Sequence, residues 1–332
     1  MKYIIDGHYD ILMDVAARRK KGERQVIRRR YYPAFQKGGV TGIVASIFVD
    51  SQYLPYGALS VAMEQISALH CEIEETPDLL MLCTSADDFL RAAETGRIGF
   101  LLSFEGAEPV SSCLLLHGFY AAGVRGLGLA WSRRNAAADG CDFSGNLKKG
   151  GLTEFGRELV KEAEDLHMIL DLSHLSDEGV EDVLSITSCP VIASHSNSRA
   201  VAGSNRNLTD CQMREIASRG GTVGLNGCSL LTAGPGVSPD QNGLTAHLDH
   251  MTEIMGEDHV ALGFDFCDSF FADDLSSSTD QMPERPFDIL SGAHEDLPAF
   301  LDHLRQHGYT ESHLAKLAGE NWLHTFRHIL KH

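Results

Sequence analysis

Eight short apolar runs separated by helical patterns constrain the fold of this chain more than any other feature. Each run closes on polar or small residues. Most read as continuous hydrophobic segments, as expected for parallel strands that are covered on both faces. The predicted strands are Tyr3–Ile5, Gly42–Phe48, Ile98–Phe104, Val124–Leu129, Met168–Leu172, Val191–Ser194, Thr222–Leu225 and Val260–Gly263.

Helical patterns occupy the intervals between these runs. Thr153 and Ser176 are predicted N-caps, and Thr209 or Asp210 is a third. Apolar residues recur at helical spacing after each of them. A loop rich in Asp and Ser, from Asp268 to Pro286, precedes two closing helices.

Eight strands that alternate with helices predict an α/β fold, a (β/α)₈ barrel of the TIM type. A chain of 332 residues suits one such barrel with insertions, so we expect a single domain over residues 1–332. A doubly wound open sheet is the main alternative. No G-x-G-x-x-G follows any predicted strand, which argues against its nucleotide-binding form.

The composition narrows the class of partner. Acidic residues outnumber basic ones 46 to 28, so a nucleic-acid partner is not expected. The chain has no apolar run long enough to span a bilayer and no secretory signal pattern, which predicts a cytoplasmic protein without a membrane partner. Its eight cysteines include no C-x-x-C pair, and free thiols are the expectation.

Ligand-type side chains follow five of the predicted strands. In such a barrel the carboxyl ends of the strands form the active face, so these side chains should converge. Any one of them could equally be a solvated or hydrogen-bonded structural residue. Together they offer more donors than one tetrahedral zinc requires, and they suit two cations about 3.5–4 Å apart. The candidates are His8, Asp10, Glu105, His174, His195 and Asp265.

Eight short segments of the chain together resemble the membrane (renal) dipeptidase family of metallopeptidases. They occur in order from residue 6 to about residue 322, so the resemblance covers nearly the whole chain. No segment is specific alone, but the set is. The segments are Asp6-Gly7-His8-Tyr9-Asp10, Ser103-Phe104-Glu105-Gly106, Gly151-Leu152-Thr153-Glu154-Phe155-Gly156, Asp171-Leu172-Ser173-His174, Ser194-His195-Ser196, Arg206-Asn207-Leu208, Gly263-Phe264-Asp265-Phe266 and Gly319-Glu320-Asn321-Trp322.

The resemblance implies a distorted (β/α)₈ barrel that holds two divalent ions, zinc by default, and cleaves dipeptides. On the family pattern His8, Asp10 and Glu105 would bind one ion. Glu105, His174 and His195 would bind the other. Glu105 would therefore bridge, a role that suits a carboxylate because it has two oxygens. Manganese or cobalt could also occupy such a site.

The same resemblance implies a mechanism. A hydroxide shared by the two ions would attack the scissile carbonyl. Asp265 would exchange protons with this nucleophile and with the leaving amine. Arg206 would bind the C-terminal carboxylate of a dipeptide. The expected substrates are dipeptides, L–D dipeptides among them, and a homodimer is a candidate assembly because family members commonly form dimers.

Two departures from the family pattern stand out. Trp131 occupies the position where the family typically carries a His that contacts the substrate, and an indole N–H can donate one hydrogen bond but cannot become a cation. Trp131 is therefore a candidate substrate-binding residue. Cys267 and Asp268 follow Phe266 where Asp-Gly is usual, which leaves the geometry of that loop open.

Three alternatives remain at this point. An amidohydrolase-like barrel hydrolase is one, although such enzymes typically begin with His-x-His where this chain has His8 and Asp10. A homologue that binds metal but is catalytically altered is another, and Trp131 favours it. Finally, His247 and His250 lie one helical turn apart and could form a second metal site, although structural histidines are the simpler interpretation.

Overall fold

Parallel strands dominate the computed structural model, which describes residues 1–141, 150–271 and 287–331. The sheet runs in the order β1-β2-β4-β5-β6-β7-β8-β9, and β3 pairs with β4 outside this path. Eight strands thus follow one another around a nearly closed barrel. The bounds are β1 Ile5–Tyr9, β2 Gly42–Phe48, β3 Leu80–Leu82, β4 Ile98–Glu105, β5 Val124–Gly128, β6 Ile169–Asp171, β7 Ile192–Ala193, β8 Thr222–Leu225 and β9 Val260–Leu262.

Helices follow the strands, as the crossovers of a parallel sheet require. Short 3₁₀ segments at Ser51–Tyr53 and Ala293–Asp296 and π segments at Ile27–Tyr31 and Lys316–Glu320 complete the described elements. The α-helices are α1 Ile11–Lys20, α2 Tyr32–Gly38, α3 Ala58–Glu75, α4 Ala86–Glu94, α5 Cys113–Ala121, α6 Glu154–Asp165, α7 Asp177–Ile186, α8 Asp210–Ser218, α9 Ser229–Thr232, α10 Gln241–Met255, α11 Asp268–Phe271, α12 Leu297–Gln306, α13 Glu311–Ala315 and α14 Asn321–Ile329.

The N-caps explain where three of these helices begin. The Thr153 and Ser176 hydroxyls accept hydrogen bonds from Gly156 N and Gly179 N, as the sequence predicted. Thr209, rather than Asp210, caps α8 and forms a capping box with Gln212.

The seam between β9 and β1 closes the barrel. Asp265 N donates to His8 O at 3.3 Å. The buried Asp6 carboxylate accepts from Phe264 N at 3.0 Å and from His294 Nε2 at 2.8 Å. The seam therefore places the first strand beside the residues that follow the last one.

The C-terminal helix α14 fills the end of the barrel that lies opposite the carboxyl ends of the strands. Trp322 is fully buried in a cluster with side chains from six strands, and its indole N–H donates to Leu262 O at 2.8 Å. A Cβ on Gly7 would lie 2.4 Å from the Trp322 ring, so glycine is required where the indole meets β1. With this end filled, the opposite end of the barrel is left for the site.

The barrel prediction is confirmed, with two corrections. The first strand is Ile5–Tyr9 and not Tyr3–Ile5, so His8 lies within it. The short strand β3 was not predicted, because three residues before a helix give too little periodicity. The loop predicted from Asp268 to Pro286 lies mostly outside the described residues, and its first four residues form α11.

Two further findings concern the whole chain. All eight cysteines lie in the described residues and are free thiols. Within residues 1–141, 150–271 and 287–331, no helix is long and apolar enough to cross a membrane.

Candidate metal centre

The strand ends bring all six predicted ligand-type side chains together. His8 Nε2 lies 3.7 Å from Asp10 Oδ1, 3.6 Å from Glu105 Oε2 and 3.9 Å from Asp265 Oδ1. Five of the six are less than 10% exposed, and the Asp265 side chain is 20% exposed. The cluster forms the floor of the barrel mouth.

A β-bulge aims His8 into this cluster. Asp6 pairs with Ile43 and Tyr9 pairs with Ala45, so β1 has one residue more than β2 between these two pairs. Ile5 packs in the inner cluster around Trp322, and strict alternation would point His8 to the opposite face. The extra residue shifts the alternation of side chains along β1, so that His8 points into the cluster, as bulges beside active sites commonly do.

Glu105 is the centre of the cluster. Its Oε1 lies 2.9 Å from His174 Nε2 and 3.6 Å from His195 Nε2, while Oε2 faces His8. Two groups of three donors result, and Glu105 belongs to both: one with His8 and Asp10, the other with His174 and His195. These are the two sets that the resemblance predicted.

Burial and crowding shift the pKa values of the carboxyl groups. Burial, with the adjacent charge of Asp10, raises the pKa of Glu105 to about 8. Burial also raises the pKa of Asp265 to about 6. Carboxylates held this close repel one another, and bound cations would remove that repulsion.

The pKa values of the three histidines shift in two different directions. Burial lowers the pKa of His174 and of His195 well below the usual value, and the Arg206 charge adds to this effect, so both imidazoles are neutral. Burial also opposes a charge on His8, but the carboxylates of Glu105 and Asp10 outweigh it and raise the pKa of His8.

This donor set fits divalent cations. His8 Nε2 is buried and has no hydrogen-bond partner. His174 Nε2 and His195 Nε2 lie 2.9 Å apart beside a carboxylate oxygen. The imidazole lone pairs and the carboxylates face one small space and make it strongly electron-rich. Cations that bind imidazole and carboxylate ligands, such as zinc, suit this pocket.

The shifted pKa values predict a pH-dependent stability for the metal-free protein. The unfolded chain ionises Glu105 near 4.5, whereas the folded protein holds that proton until pH about 8. The free energy of unfolding should therefore fall as pH rises from 6.5 to 8. The lowered pKa values of His174 and His195 act in the opposite direction, but this effect fades as pH rises past the ordinary histidine value of 6.5, and the raised pKa of His8 acts in the same direction as that of Glu105.

Urea unfolding with a chelator at pH 6.5 and at pH 8 measures this slope. Glu105→Gln should flatten it, because glutamine carries no titrating proton. Added zinc should stabilise the protein more at the higher pH, since cation binding releases protons. A metal-free protein that gains stability between these two pH values would contradict the prediction.

Three buried serines lie behind the ligand-type residues, and sequence patterns did not single them out. The Ser46 hydroxyl donates to Asp10 Oδ1 and lies 3.2 Å from Glu105 Oε2. The Ser132 hydroxyl lies 2.9 Å from His174 Nδ1, the ring nitrogen on the far side from Nε2, and so helps to orient the ring. The positions of Ser132 and Ser194 after strands, and of Ser46 inside β2, were the available signal, but serine is common in such places.

The third serine fixes the tautomer of His195. The Ser194 hydroxyl donates to Asp171 Oδ2 and lies 2.6 Å from His195 Nδ1. Asp171 is further held by the N–H groups of Ser173 and Ser194, at 3.0 and 2.9 Å. Because the hydroxyl proton goes to Asp171, the hydroxyl accepts from His195 Nδ1–H, and the Nε2 lone pair points into the cluster.

Ser194→Ala is expected to weaken zinc binding by about 10–100-fold, the range seen when a hydrogen-bonding partner of a metal ligand is removed. Competition with a chelator measures the affinity, and Ser173→Ala serves as the matched control because its hydroxyl contacts His195 N rather than the ring. Equal zinc affinities of the two variants would exclude this role of Ser194.

Arg206 and Trp131 form the side of the cluster nearest His174. Arg206 is buried and donates to Ser196 Oγ at 2.7 Å, to His195 O at 2.8 Å and to His174 Nδ1 at 3.1 Å. A guanidinium has more N–H groups than these three contacts use. The Trp131 ring lies 5.8 Å from the His174 ring.

Asp265 sits above the seam and is oriented by a neighbour that sequence analysis missed. Asn226, the residue after β8, donates to Asp265 Oδ2 at 3.0 Å. The backbone of Asp265 is left-handed, with φ of 59°, a conformation that Asp tolerates better than most residues. Oδ2 is thereby held by Asn226 while Oδ1 faces His8.

His247 and His250 do not join in a second centre. His247 Nδ1 accepts from Ser198 N at 3.1 Å, and Nε2 contacts Thr232 O at 3.1 Å. His250 instead contacts Asp210. Hydrogen bonds account for both rings.

A (β/α)₈ barrel whose strand ends gather imidazoles and carboxylates around one shared glutamate defines a metal-dependent hydrolase. The sequence model of the membrane dipeptidase family, peptidase family M19, matches residues 2–331. The chain therefore belongs to the membrane dipeptidase family.

Individual relatives agree with this assignment. An uncharacterized protein in the pqqA 5′ region of Klebsiella pneumoniae is 33% identical over 83% of this chain and 98% of its own length. A metallopeptidase from Rhodobacter sphaeroides, liganded with a phosphinate mimic of the dipeptide L-Ala-D-Ala, superposes with a TM-score of 0.85 at 28% identity, covering 98% of this chain and 99% of that one. Dipeptidase AC, of family M19, gives 0.85 at 30% identity, covering 99% and 98%.

Proposed function

We propose that this protein is a dinuclear metallodipeptidase that hydrolyses the peptide bond of dipeptides. The observation that carries the proposal is the pair of donor groups that share Glu105 at the barrel mouth, with Arg206 on one side and Asp265 on the other. Membership of the membrane dipeptidase family supports it.

In this proposal the shared carboxylate holds two divalent cations side by side, and zinc is the expected metal. His8 and Asp10 complete one set of ligands, and His174 and His195 complete the other. The cations would supply an acidified water as the nucleophile and polarise the scissile carbonyl. The serines behind the ligands hold the imidazole and carboxylate orientations that this binding needs.

Asp265 is the proposed proton carrier. Its Oδ2 is fixed by Asn226 and its Oδ1 faces the cluster, so one oxygen of the side chain is directed toward the reacting groups. It accepts the proton of the nucleophile and delivers it to the departing amine nitrogen. The partial exposure of the side chain gives it access to both the substrate and solvent.

Arg206 is the proposed anchor for the substrate carboxylate, and Trp131 a wall beside it. A guanidinium fork suits a carboxylate, and a dipeptide is the shortest peptide that places a free carboxylate one residue from the scissile bond. L–D dipeptides are candidate substrates, supported by the similar R. sphaeroides protein that binds a mimic of L-Ala-D-Ala.

Arg206→Ala is expected to lower kcat/KM for a dipeptide by about 10²-fold or more, because truncating one side of a buried charge pair costs about 2–5 kcal/mol. The difference in kcat/KM between a dipeptide and its C-terminal amide should largely disappear in this variant. Arg206→Lys should recover part of the loss, since it restores charge without the fork.

Arg214→Ala is the control for this prediction, because Arg214 lies on α8, eight residues further along the chain, and its guanidinium faces Asp210 at 3.8 Å. Wild-type preference for the free carboxylate in Arg206→Ala would contradict the role of Arg206.

A panel of L–L and L–D dipeptides, run together with metal analysis, tests the proposed function as a whole. We expect hydrolysis, about two bound cations per chain and loss of activity on chelation. Two bound cations without hydrolysis of any dipeptide would instead identify a catalytically altered homologue. The presence of Trp131 in place of the family's His would account for the lost activity.

A further inference from the structure

Cys267 lies at the edge of the metal centre and has no place in the reaction proposed above. Its Sγ is 3.2 Å from Asp265 O and 3.7 Å from Asp265 Oδ1. With one oxygen each from Asp10 and Asp265, it forms a third group of donors whose atoms all lie within 4.8 Å of one another. A cation between these three atoms would be within reach of sulfur.

A second observation points to the same space. His8 Nε2 is buried, has no hydrogen-bond partner, and lies 3.7 Å from Asp10 Oδ1 and 3.9 Å from Asp265 Oδ1. The two carboxylates next to Cys267 are thus also the ones that His8 faces. Asp10 and Asp265 thus each belong to one donor group with His8 and to another with Cys267.

The backbone that carries Cys267 is held in place. Cys267 N and Asp268 N donate to the Asp288 carboxylate at 2.9 Å each. In return, Phe287 N and Asp288 N donate to the Asp268 carboxylate at 3.0 and 2.8 Å. These reciprocal contacts explain Asp268 where the family usually has glycine, and they fix the position of the thiol beside the cluster.

We propose that Cys267 supplies a sulfur ligand to a divalent cation that Asp10 binds at this edge of the centre, which biases that position toward thiophilic ions such as Zn²⁺ and Cd²⁺ over Mn²⁺ and Mg²⁺. The inference rests on the metal centre of the proposed function. Thiolates select softer cations, whereas carboxylates alone suit harder ones.

The binding step is a simple exchange. The S–H bond breaks, its proton passes to a solvent base, and a sulfur–cation bond forms with no change of oxidation state. A bare thiolate beside two carboxylates would be repelled, so the proton leaves only as the cation binds. Cation binding at this position should therefore release one proton more than in a variant without the thiol.

Ultraviolet absorption of the full-length protein titrated with Cd²⁺ alone tests the proposal. Wild type should develop a sulfur-to-cadmium charge-transfer band, and Cys267→Ser should lack it. Cys228→Ser, which removes a half-buried thiol in the loop after β8, is the matched control and should keep the band. Cys267→Ser should also weaken Cd²⁺ binding by about 10–100-fold while Mn²⁺ affinity changes little.

A second measurement needs no variant. Cd²⁺ should protect Cys267 of the wild type from alkylation, as mapped by mass spectrometry. Absence of both the band and the protection, or a band that survives Cys267→Ser, overturns the proposal. A wild type that binds two cations and cleaves dipeptides without the band refutes the sulfur ligand alone. A band without hydrolysis refutes the dipeptidase function alone.

Discussion

Glu105→Gln is expected to abolish dipeptide hydrolysis, with kcat/KM reduced by at least about 10³-fold, because cation charge stabilisation of several kcal/mol is lost. Glu105 is the one residue shared by both donor groups. Glutamine keeps the shape but has one carbonyl oxygen and no charge, so it cannot serve two cations. Metal analysis should show fewer than two cations per chain.

Glu108→Gln is the matched control for this experiment. Glu108 is a mostly buried glutamate three residues further along the chain, just after β4, and it pairs with Arg133 at 3.1 Å rather than with the cluster. It should retain both cations and most of the activity. A Glu105→Gln protein that binds two cations and hydrolyses dipeptides at the wild-type rate would refute the shared-ligand arrangement.

Asp265→Asn should produce a different defect, a fall in kcat of about 10²–10⁴-fold with both cations retained, because general acid–base catalysis contributes about that much. Asn preserves the volume and can still contact Asn226, but it cannot carry a proton between nucleophile and amine. KM should change little, since Arg206 and the cations still bind the substrate.

The contrast between the two variants separates binding from proton transfer. Solvent isotope effects and pH profiles of kcat supply a further readout, because the limb assigned to Asp265 should vanish from the profile of Asp265→Asn. Asp240→Asn is a control, since Asn caps a helix as well as Asp does. Loss of metal in Asp265→Asn would show that Asp265 acts as a ligand rather than as a proton carrier.

Much of the fold could be predicted because parallel strands buried on both faces leave a continuous apolar signal. All eight barrel strands were predicted within a few residues of their observed bounds. The end of β1 was predicted at Ile5 rather than Tyr9 because Asp6 and His8, both polar, lie inside the strand, where pairing with β2 outweighs the polar composition. The single-domain organisation stays a prediction.

The ligand-type residues were predictable for a topological reason. Every parallel strand of a barrel ends on the same face, so polar residues that follow apolar runs must converge. The residues that orient them were not predictable in this way. Ser132 and Asn226 act through hydrogen bonds to His174 and Asp265, which are distant in sequence. Ser194 contacts its neighbour His195, but its proton goes to Asp171, 23 residues earlier in the chain, and no local pattern records such a pairing.

The seam between β9 and β1 also orders events during folding. His8 belongs to the first strand, and Asp265 follows the last one, so the two meet only when the final strand has docked. A growing chain that still lacks β9 already carries the proposed ligands His8, Asp10, Glu105, His174 and His195, but it does not yet carry Asp265. In the proposed function, docking of β9 should therefore be the step that adds the proton carrier to a centre whose ligands are already present.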